Sequence, residues 1–414
     1  MNDREPQWTA GGPDIDLADP AFYTGCDYPA VWQQARRSHP IAWSRSARAG
    51  DFWSVTTHAL GSRVAKQSAL FSSARGMRLG AAEAGVGAAA NRMLVVSDSD
   101  AHRRIRSALS GWFTGRAVAA LQDRLAAHVD ELVRTLVERG TPIDVRTELA
   151  ETIPTWVLFE MLDIPGPDRA ELAGLTGAAF DETDLSEAAA ARRAGAHAQI
   201  FGYFHQLLQR RRAAPGSDII SSLAVADGEG KRLDDVEILL NCNGLMNGGL
   251  ETTPHAVTGA VLAFARDPRA WRRLAAEQRL IDGAIDEILR VTSPPMHIMR
   301  TATADTELGG ATIRAHDRVV VWLPSCNWDE SVFDDPRTLS LDRQGASHLS
   351  FGAGPHYCIG AVLARMELRC WLRAMLRYVE RIEVTGPVRR QASTFLHGLS
   401  ELKATFVPAH GRSV

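Results

Sequence analysis

The chain has 414 residues, 45% of them hydrophobic and 23% charged, the proportions of an ordinary globular protein with a substantial core. A formal charge of −3 provides no basic field for nucleic acid, and almost all of the positive charge is arginine, with lysine only at Lys66, Lys231 and Lys403. Five scattered cysteines (Cys26, Cys242, Cys326, Cys358 and Cys370) without a CxxC pair argue against a disulfide framework and a zinc ribbon, so a reduced, cytoplasmic chain is expected.

In chain order, the polar start Met1–Pro6 has no signal-peptide core, and no run of about 18 apolar residues follows anywhere, so no membrane span is expected. Residues 1–19 read as a tail, 20–408 as one domain and 409–414 as a second tail. Pro40–Ser44 and Phe52–Thr56 flank a Gly-containing polar loop and predict a hairpin. Residues 72–92, rich in Gly and Ala and without periodicity, predict a mobile loop. Apolar residues at three- and four-residue spacing predict helices over 116–138, 148–162, 187–212 and 234–266, punctuated by Pro165-Gly166, Pro215-Gly216 and Asp267-Pro268. After Pro294-Pro295 the chain turns extended, with strands expected at Thr312–Arg314 and Val319–Trp322. A Gly-rich loop at 351–360 then opens a helix over 359–379, and the C-terminal stretch reads as a β-hairpin around Gly398. The expected fold is mainly α with small β-sheets (α+β): a helical body and a minor β lobe.

The stretch Phe351-Gly-Ala-Gly-Pro-His-Tyr-Cys-Ile-Gly360 is the most informative. Two glycines and a proline make a tight turn, and Cys358 stands at a helix entrance, where a thiolate gains from unused amide N–H groups and the helix dipole. A heme iron needs such a thiolate for oxygen cleavage, and Gly352, Gly354 and Gly360 leave room for a flat macrocycle to approach. Neither a dinucleotide fingerprint nor a c-type heme site fits, because Tyr357 occupies the third glycine position and no CxxCH occurs. A lone cysteine is more often structural. The whole string, however, resembles the heme-binding signature of the cytochrome P-450 family, FxxGxxxCxG, with Phe351, Gly354, Cys358 and Gly360 in register.

That resemblance implies the cytochrome P-450 fold, with heme b (iron protoporphyrin IX) as cofactor, Cys358 as axial iron ligand, Phe351 packed near the sulfur and His356 at a propionate. Glu287-Ile-Leu-Arg290 is similar to the family's ExxR, which implies a buried structural pair knitting its helix to the loop before the cysteine; alone it would read as a surface ion pair. His102-Arg-Arg-Ile-Arg106 is similar to HxRxR, implying His102 and Arg106 at the propionates, with Arg300 as a third partner. The family often has proline before that histidine. Here Asp98 or Ser99 is expected to cap the helix instead.

Gly248-Gly-Leu-Glu-Thr-Thr-Pro254 lies inside a long apolar helix. Paired glycines, a proline without an N–H for the Leu250 carbonyl, and a Thr252 hydroxyl competing for the Gly248 carbonyl all predict a local kink. The segment resembles the family's [AG]GxETT motif, which implies a groove at Gly248 and a Glu251–Thr252 acid–alcohol pair that relays protons for oxygen activation. The resemblance further implies a monooxygenase inserting one oxygen atom from O2 into a small organic substrate, with hydroxylation in natural-product biosynthesis as the expected use. Epoxidation, aryl coupling or desaturation, or a non-catalytic helper role, are the alternatives. At this length no attached reductase is expected, so ferredoxin and ferredoxin reductase are the expected electron donors. Arg365, Arg369, Arg373 and Arg377, with Arg103 or Arg104, form either a docking patch or an internally paired face. By family analogy the substrate pocket, for a free or carrier-protein-bound molecule, draws on the 72–96 and 170–200 segments and on Leu94, Asn243, Met246, Asn247, Met296, His297, Ile298 and Phe395.

Overall fold

The computed structural model describes residues 15–409 except 26, 181–185, 226–232 and 346. Most of the two expected tails, Cys26 and part of the 170–200 segment lie outside the described residues. The helical body forms around the 32-residue helix Asp235–Arg266, which packs on Thr152–Met161, Glu187–Ala213, Ile281–Thr292 and Ala361–Tyr378. Its start is fixed by reciprocal capping: the Asp234 carboxylate accepts the Glu237 amide (2.8 Å), and Glu237 accepts the Asp234 amide (2.9 Å), an arrangement worth about 1 kcal/mol. It stops where Asp267 caps the next helix, which Pro268 opens.

The expected helices form close to their predicted bounds, at Gly115–Arg139, Glu187–Ala213, Asp235–Arg266 and Ala361–Tyr378. The one expected at 148–162 divides into a π-helical turn, Val145–Ala150, and an α-helix, Thr152–Met161, because the Asp144 carboxylate captures the Arg146 and Thr147 amides and starts the turn early. The reading of 72–92 as a mobile loop is corrected. The segment begins at a strand, Phe71–Ser72, and contains a helix, Glu83–Ala89. Asp98 holds its entry by accepting from the Ser73 and Ala74 amides. No local periodicity reports a clamp made by a residue so far along the chain.

A five-stranded sheet runs in the spatial order Ile41–Ser44, Phe52–Val55, Arg318–Trp322, His297–Ala302 and Phe71–Ser72. Val319, Val320, Val321 and Trp322 are all fully buried, as an unbroken apolar run predicts for a central strand covered on both faces. The C-terminal hairpin pairs Val379–Arg390 with Leu399–Pro408. Its tip folds back onto the body, where the Met296 amide donates to the Phe395 carbonyl (2.8 Å) and the His397 amide to the Pro294 carbonyl (2.7 Å). The fold-back brings Phe395 to the cavity described next.

Candidate active site

A cavity of about 310 Å3 is bounded by the Asp235–Arg266 helix, the Phe351–Gly360 loop and the His297–Ala302 strand. Cys358 lies on its floor, exposed to the cavity but enclosed by protein. Its amide donates to the Phe351 carbonyl (2.8 Å), closing the loop just before the Ala361–Tyr378 helix. Burial pushes the thiol up, while the Gly360 amide and the charges of Arg106 and Arg365 oppose that shift. The Arg365 guanidinium also lies over the Phe351 ring, 4.7 Å from its centroid.

Gly354, expected at the cofactor, is not part of the cavity wall. Its φ is +69°, and a Cβ there would lie 2.7 Å from Lys66 Cα and 3.0 Å from the Ala65 carbonyl oxygen. It is glycine because the cysteine loop turns against the backbone of the helix His58–Lys66.

One edge of the cavity gathers His102, Arg106, Arg300 and His356. The His102 and His356 rings lie 4.2 Å apart. His102 is buried, its Nε2 has no hydrogen-bond partner, and burial followed by the neighbouring His356 and Arg106 pushes its pKa down to about 4. Arg300 is buried as well, donates to its own neighbour's carbonyl, Met299 (2.8 Å), and is pushed down to about 10 by that burial. Among the described residues neither Arg106 nor Arg300 forms an ion pair. Buried cations without anions are costly, and two carboxylates reaching this edge would satisfy them. The donor set therefore fits a heme: a sulfur ligand on the floor and propionate partners along one edge.

Asp98 stands before this group at the start of the Ser99–Ser110 helix, but its side chain does not cap that helix. The carboxylate instead accepts from the Ser72 hydroxyl (2.5 Å) and the Ser73 amide (3.0 Å), and lies 3.6 Å from His356 Nε2. Burial alone would raise it, but the hydrogen bonds from His356, Ser72 and the two amides hold it well below the usual carboxylate range.

The roof is the long helix. A Cβ on Gly248 would meet nothing within 4 Å, whereas one on Gly249 would lie 2.6 Å from Leu158 Cδ1. One glycine opens the cavity and its neighbour lets two helices close. The Thr252 hydroxyl donates to the Gly248 carbonyl (2.9 Å) and lines the cavity. Glu251 lines this cavity and also a second cleft of about 720 Å3 on the other side of the helix. That cleft has exposed Thr147, Ala170 and Gly177 at its mouth and buried His255 at its base.

Of the expected substrate contacts, Leu94, Asn247, His297, Ile298 and Phe395 line the cavity. Asn243, Met246 and Met296 do not. Helical phase directs Asn241, Gly244, Leu245, Gly248 and Thr252 inward and leaves Asn243 and the fully buried Met246 on other faces. Met296 is absorbed into the aromatic cluster around Trp32 and Trp322. Asn241 and Glu367 were not expected. Asn241 accepts the Leu94 amide (2.9 Å) and donates to the Arg92 carbonyl (2.9 Å), tying the helix to the cavity wall. Buried Glu367, pushed up to about 8 by burial, accepts the Thr253 hydroxyl (2.9 Å). A carboxylate on the buried face of the Ala361–Tyr378 helix was the available signal.

Glu287 and Arg290 form a buried bidentate pair (2.8 Å each). Arg343 and the Ser340 amide add to Glu287 (2.9 Å each), and Arg290 donates to the Asn327 carbonyl (2.7 Å). Asn327 in turn accepts the Leu349 amide (2.7 Å) and donates to Ser350 (2.9 Å), directly before Phe351. Outside the cavity the arginine face is largely paired within the protein: Arg365 with Asp286, Arg369 with Asp282 and Arg377 with Asp130, each at 2.8 Å. Arg104 pairs with Glu237 and Arg103 with Asp100. Among the described residues, no helix is long and apolar enough to cross a membrane.

The family model Cytochrome P450 matches residues 185–384. Cytochrome P450 NovI of Streptomyces niveus is 35% identical over 390 residues, 94% of this chain and 95% of the relative. Linalool 8-monooxygenase of Pseudomonas putida is 30% identical over 95% of this chain and 99% of its own length. The crystal structure of P450 OxyD, involved in the biosynthesis of vancomycin-type antibiotics, superposes with a TM-score of 0.87 at 33% identity, covering 95% of this chain and all of the other. With relatives matched along nearly their whole length and a cysteine-floored cavity that fits a heme, the chain belongs to the cytochrome P450 family of monooxygenases.

Proposed function

We propose that this chain, as one domain over 20–408, holds heme b through Cys358 and hydroxylates a small natural product during its biosynthesis. The observation that carries the reading is one cavity lined by both Cys358 and Thr252, whose edge gathers two arginines without an ion-pair partner among the described residues and a His102 nitrogen without a hydrogen bond. When bound, the heme supplies activation of dioxygen and transfer of one oxygen atom to the substrate. His102, Arg106, Arg300 and His356 hold its two carboxylates and fix its orientation, and Gly248 leaves space above it. Leu94, Ile298 and Phe395 exclude water around the substrate, with Asn247 as a polar contact, while His297 lends only its ring face because its nitrogens are held by the Leu79 amide and the Thr394 carbonyl. Glu251 takes protons from the solvent-facing cleft and hands them to the Thr252 side of the helix, where the hydroxyl exchanges its bond to the Gly248 carbonyl for one to a water in the cavity.

The OxyD structure, a protein of antibiotic biosynthesis, supports a natural-product substrate. A carrier-protein-bound substrate is compatible with this reading, and product analysis separates hydroxylation from epoxidation, aryl coupling and desaturation. Electrons come from a separate ferredoxin and its reductase. The internal pairing of Arg365, Arg369 and Arg377 leaves exposed Arg373 as the remaining cation of that helix for docking. Thr252→Ala tests the proton assignment. The variant is expected to keep its heme and to divert reducing equivalents to peroxide at a cost of about 10²–10⁴ in product formation. Full coupling of electrons to product in Thr252→Ala would remove Thr252 from the relay.

A further inference from the structure

Ten tryptophans are many for a chain with only five tyrosines, and several gather in one buried cluster. Tyr23, Tyr28, Trp32, Trp322 and Trp328 have ring centroids 5.2–6.4 Å apart in a connected set. At one end the His297 ring, itself on the cavity wall, lies 5.4 Å from Trp322. At the other end the exposed Arg337 guanidinium covers Trp328 at 5.9 Å. The set therefore runs from one imidazole away from the cavity to a buried tryptophan covered by an exposed arginine. Packing accounts for the rings but does not dictate the chemistry around the Tyr28 hydroxyl.

That hydroxyl lies 2.9 Å from His397 Nε2. His397 Nδ1 lies 2.5 Å from the Thr292 carbonyl oxygen, which can only accept, so Nδ1 carries the ring proton and Nε2 presents a lone pair. Tyr28 is thus the donor of the pair, while Arg390 Nη1 donates to the phenol oxygen (2.8 Å). Burial pushes His397 down to about 4, so the resting ring is neutral. A phenol whose proton has a preset neutral acceptor can lose an electron without leaving a buried cation on its own ring. Tyr23, whose hydroxyl donates to the Leu17 carbonyl (2.8 Å), has no such acceptor.

We propose that Tyr28 and His397 form a proton-coupled redox pair which, through Trp32, Trp322 and Trp328, drains oxidising equivalents from the heme cavity when they are not consumed by substrate. In the step, Tyr28 gives one electron to an oxidised tryptophan of the cluster, which has itself reduced the oxidised cofactor by one electron. The phenolic proton moves from Tyr28 Oη to His397 Nε2, leaving a neutral phenoxyl and an imidazolium held by Thr292. One electron from a small thiol reductant at the Trp328 edge, which becomes a thiyl radical and releases its proton to solvent, restores the pair as the proton returns from His397 to Tyr28. The inference rests on the heme-thiolate reading only for the oxidant.

The test uses the substrate-free holoenzyme, mixed with a peracid, freeze-quenched and examined by electron paramagnetic resonance. A tyrosine radical is expected in the wild type, with a coupling to an exchangeable proton that disappears in D2O. The radical is expected to be lost in Tyr28→Phe, kept in Tyr357→Phe (the tyrosine beside Cys358) and formed in lower yield in Trp322→Phe. A wild type without a tyrosine radical, a radical without the exchangeable coupling, or one unchanged in Tyr28→Phe overturns the proposal. The carbon monoxide difference spectrum of the same preparation separates the two readings: a thiolate spectrum with no Tyr28 radical refutes the redox pair alone.

Discussion

The molecule buries two charged clusters, and they are built on opposite rules. At Glu287, Arg290 and Arg343 one carboxylate is shared by two guanidiniums, and backbone carbonyls and an amide take up the remaining donors and acceptors. At His102, Arg106, Arg300 and His356 two arginines have no ion-pair partner among the described residues, a ring nitrogen is orphaned, and burial pulls His102 and Arg300 down. The first cluster is complete without a ligand and holds the Asn327–Ser350 segment under the cysteine loop. In the second, Asp98 answers only His356, and Arg106 and Arg300 are left without an anion until one arrives. Charge satisfied within the protein marks structure, and charge left unsatisfied in a cavity marks a site.

The largest expected effect lies in the first cluster. Glu287→Ala leaves Arg290 and Arg343 buried without their anion and is expected to cost about 3–5 kcal/mol, read as a lowered denaturant midpoint of the apoprotein and holoprotein alike. Arg300→Leu should act with the opposite sign on the apoprotein, raising its stability by on the order of 1 kcal/mol because an uncompensated charge is removed, while heme dissociates faster. Equal destabilisation of the apoprotein by the two substitutions would erase the contrast between the clusters. The smallest effect is expected at Asp98, which links the second cluster to the Ser72–Ala74 turn. Its carboxyl is held low in the folded protein, so its contribution is complete above the ordinary aspartate pKa of about 3.9. That contribution disappears as pH falls through the lower folded value. Asp98→Asn should therefore be less stable than wild type at neutral pH and converge with it in acid. A constant difference across a pH series of thermal melts would count against the pairing with His356.

What could be read in the sequence was what lies contiguous in it. Phe351 to Gly360 is one loop, and its cysteine reaches the cavity as the motif implies; Glu251 and Thr252 are adjacent on one helix. Glu287 and Arg290 are one turn apart and pair, although their third member, Arg343, lies 56 residues on and left no local trace. Errors arose where facing is decided by tertiary packing. Asn243 and Met246 share a helix with the cavity residues but differ from them in phase. Met296 neighbours His297 but is claimed by the aromatic cluster. Asp98 occupies a capping position but has stronger partners in a distant turn, and Gly354 serves a backbone contact with Ala65 and Lys66 that no periodicity encodes. The arginines after Cys358 show the same limit. Their spacing revealed a shared helical face, but not the aspartates of other helices that meet Arg365, Arg369 and Arg377.

Cys358 is proposed to supply a thiolate to a heme iron, and the reduced carbon monoxide difference spectrum reads that ligand. The purified wild type is expected to give the red-shifted Soret band of a thiolate complex, and Cys358→Ala is expected to lose that band while the Glu287–Arg290 cluster keeps the protein folded. A wild type without the thiolate band after heme reconstitution, or a Cys358→Ala variant that retains it, would contradict the assignment.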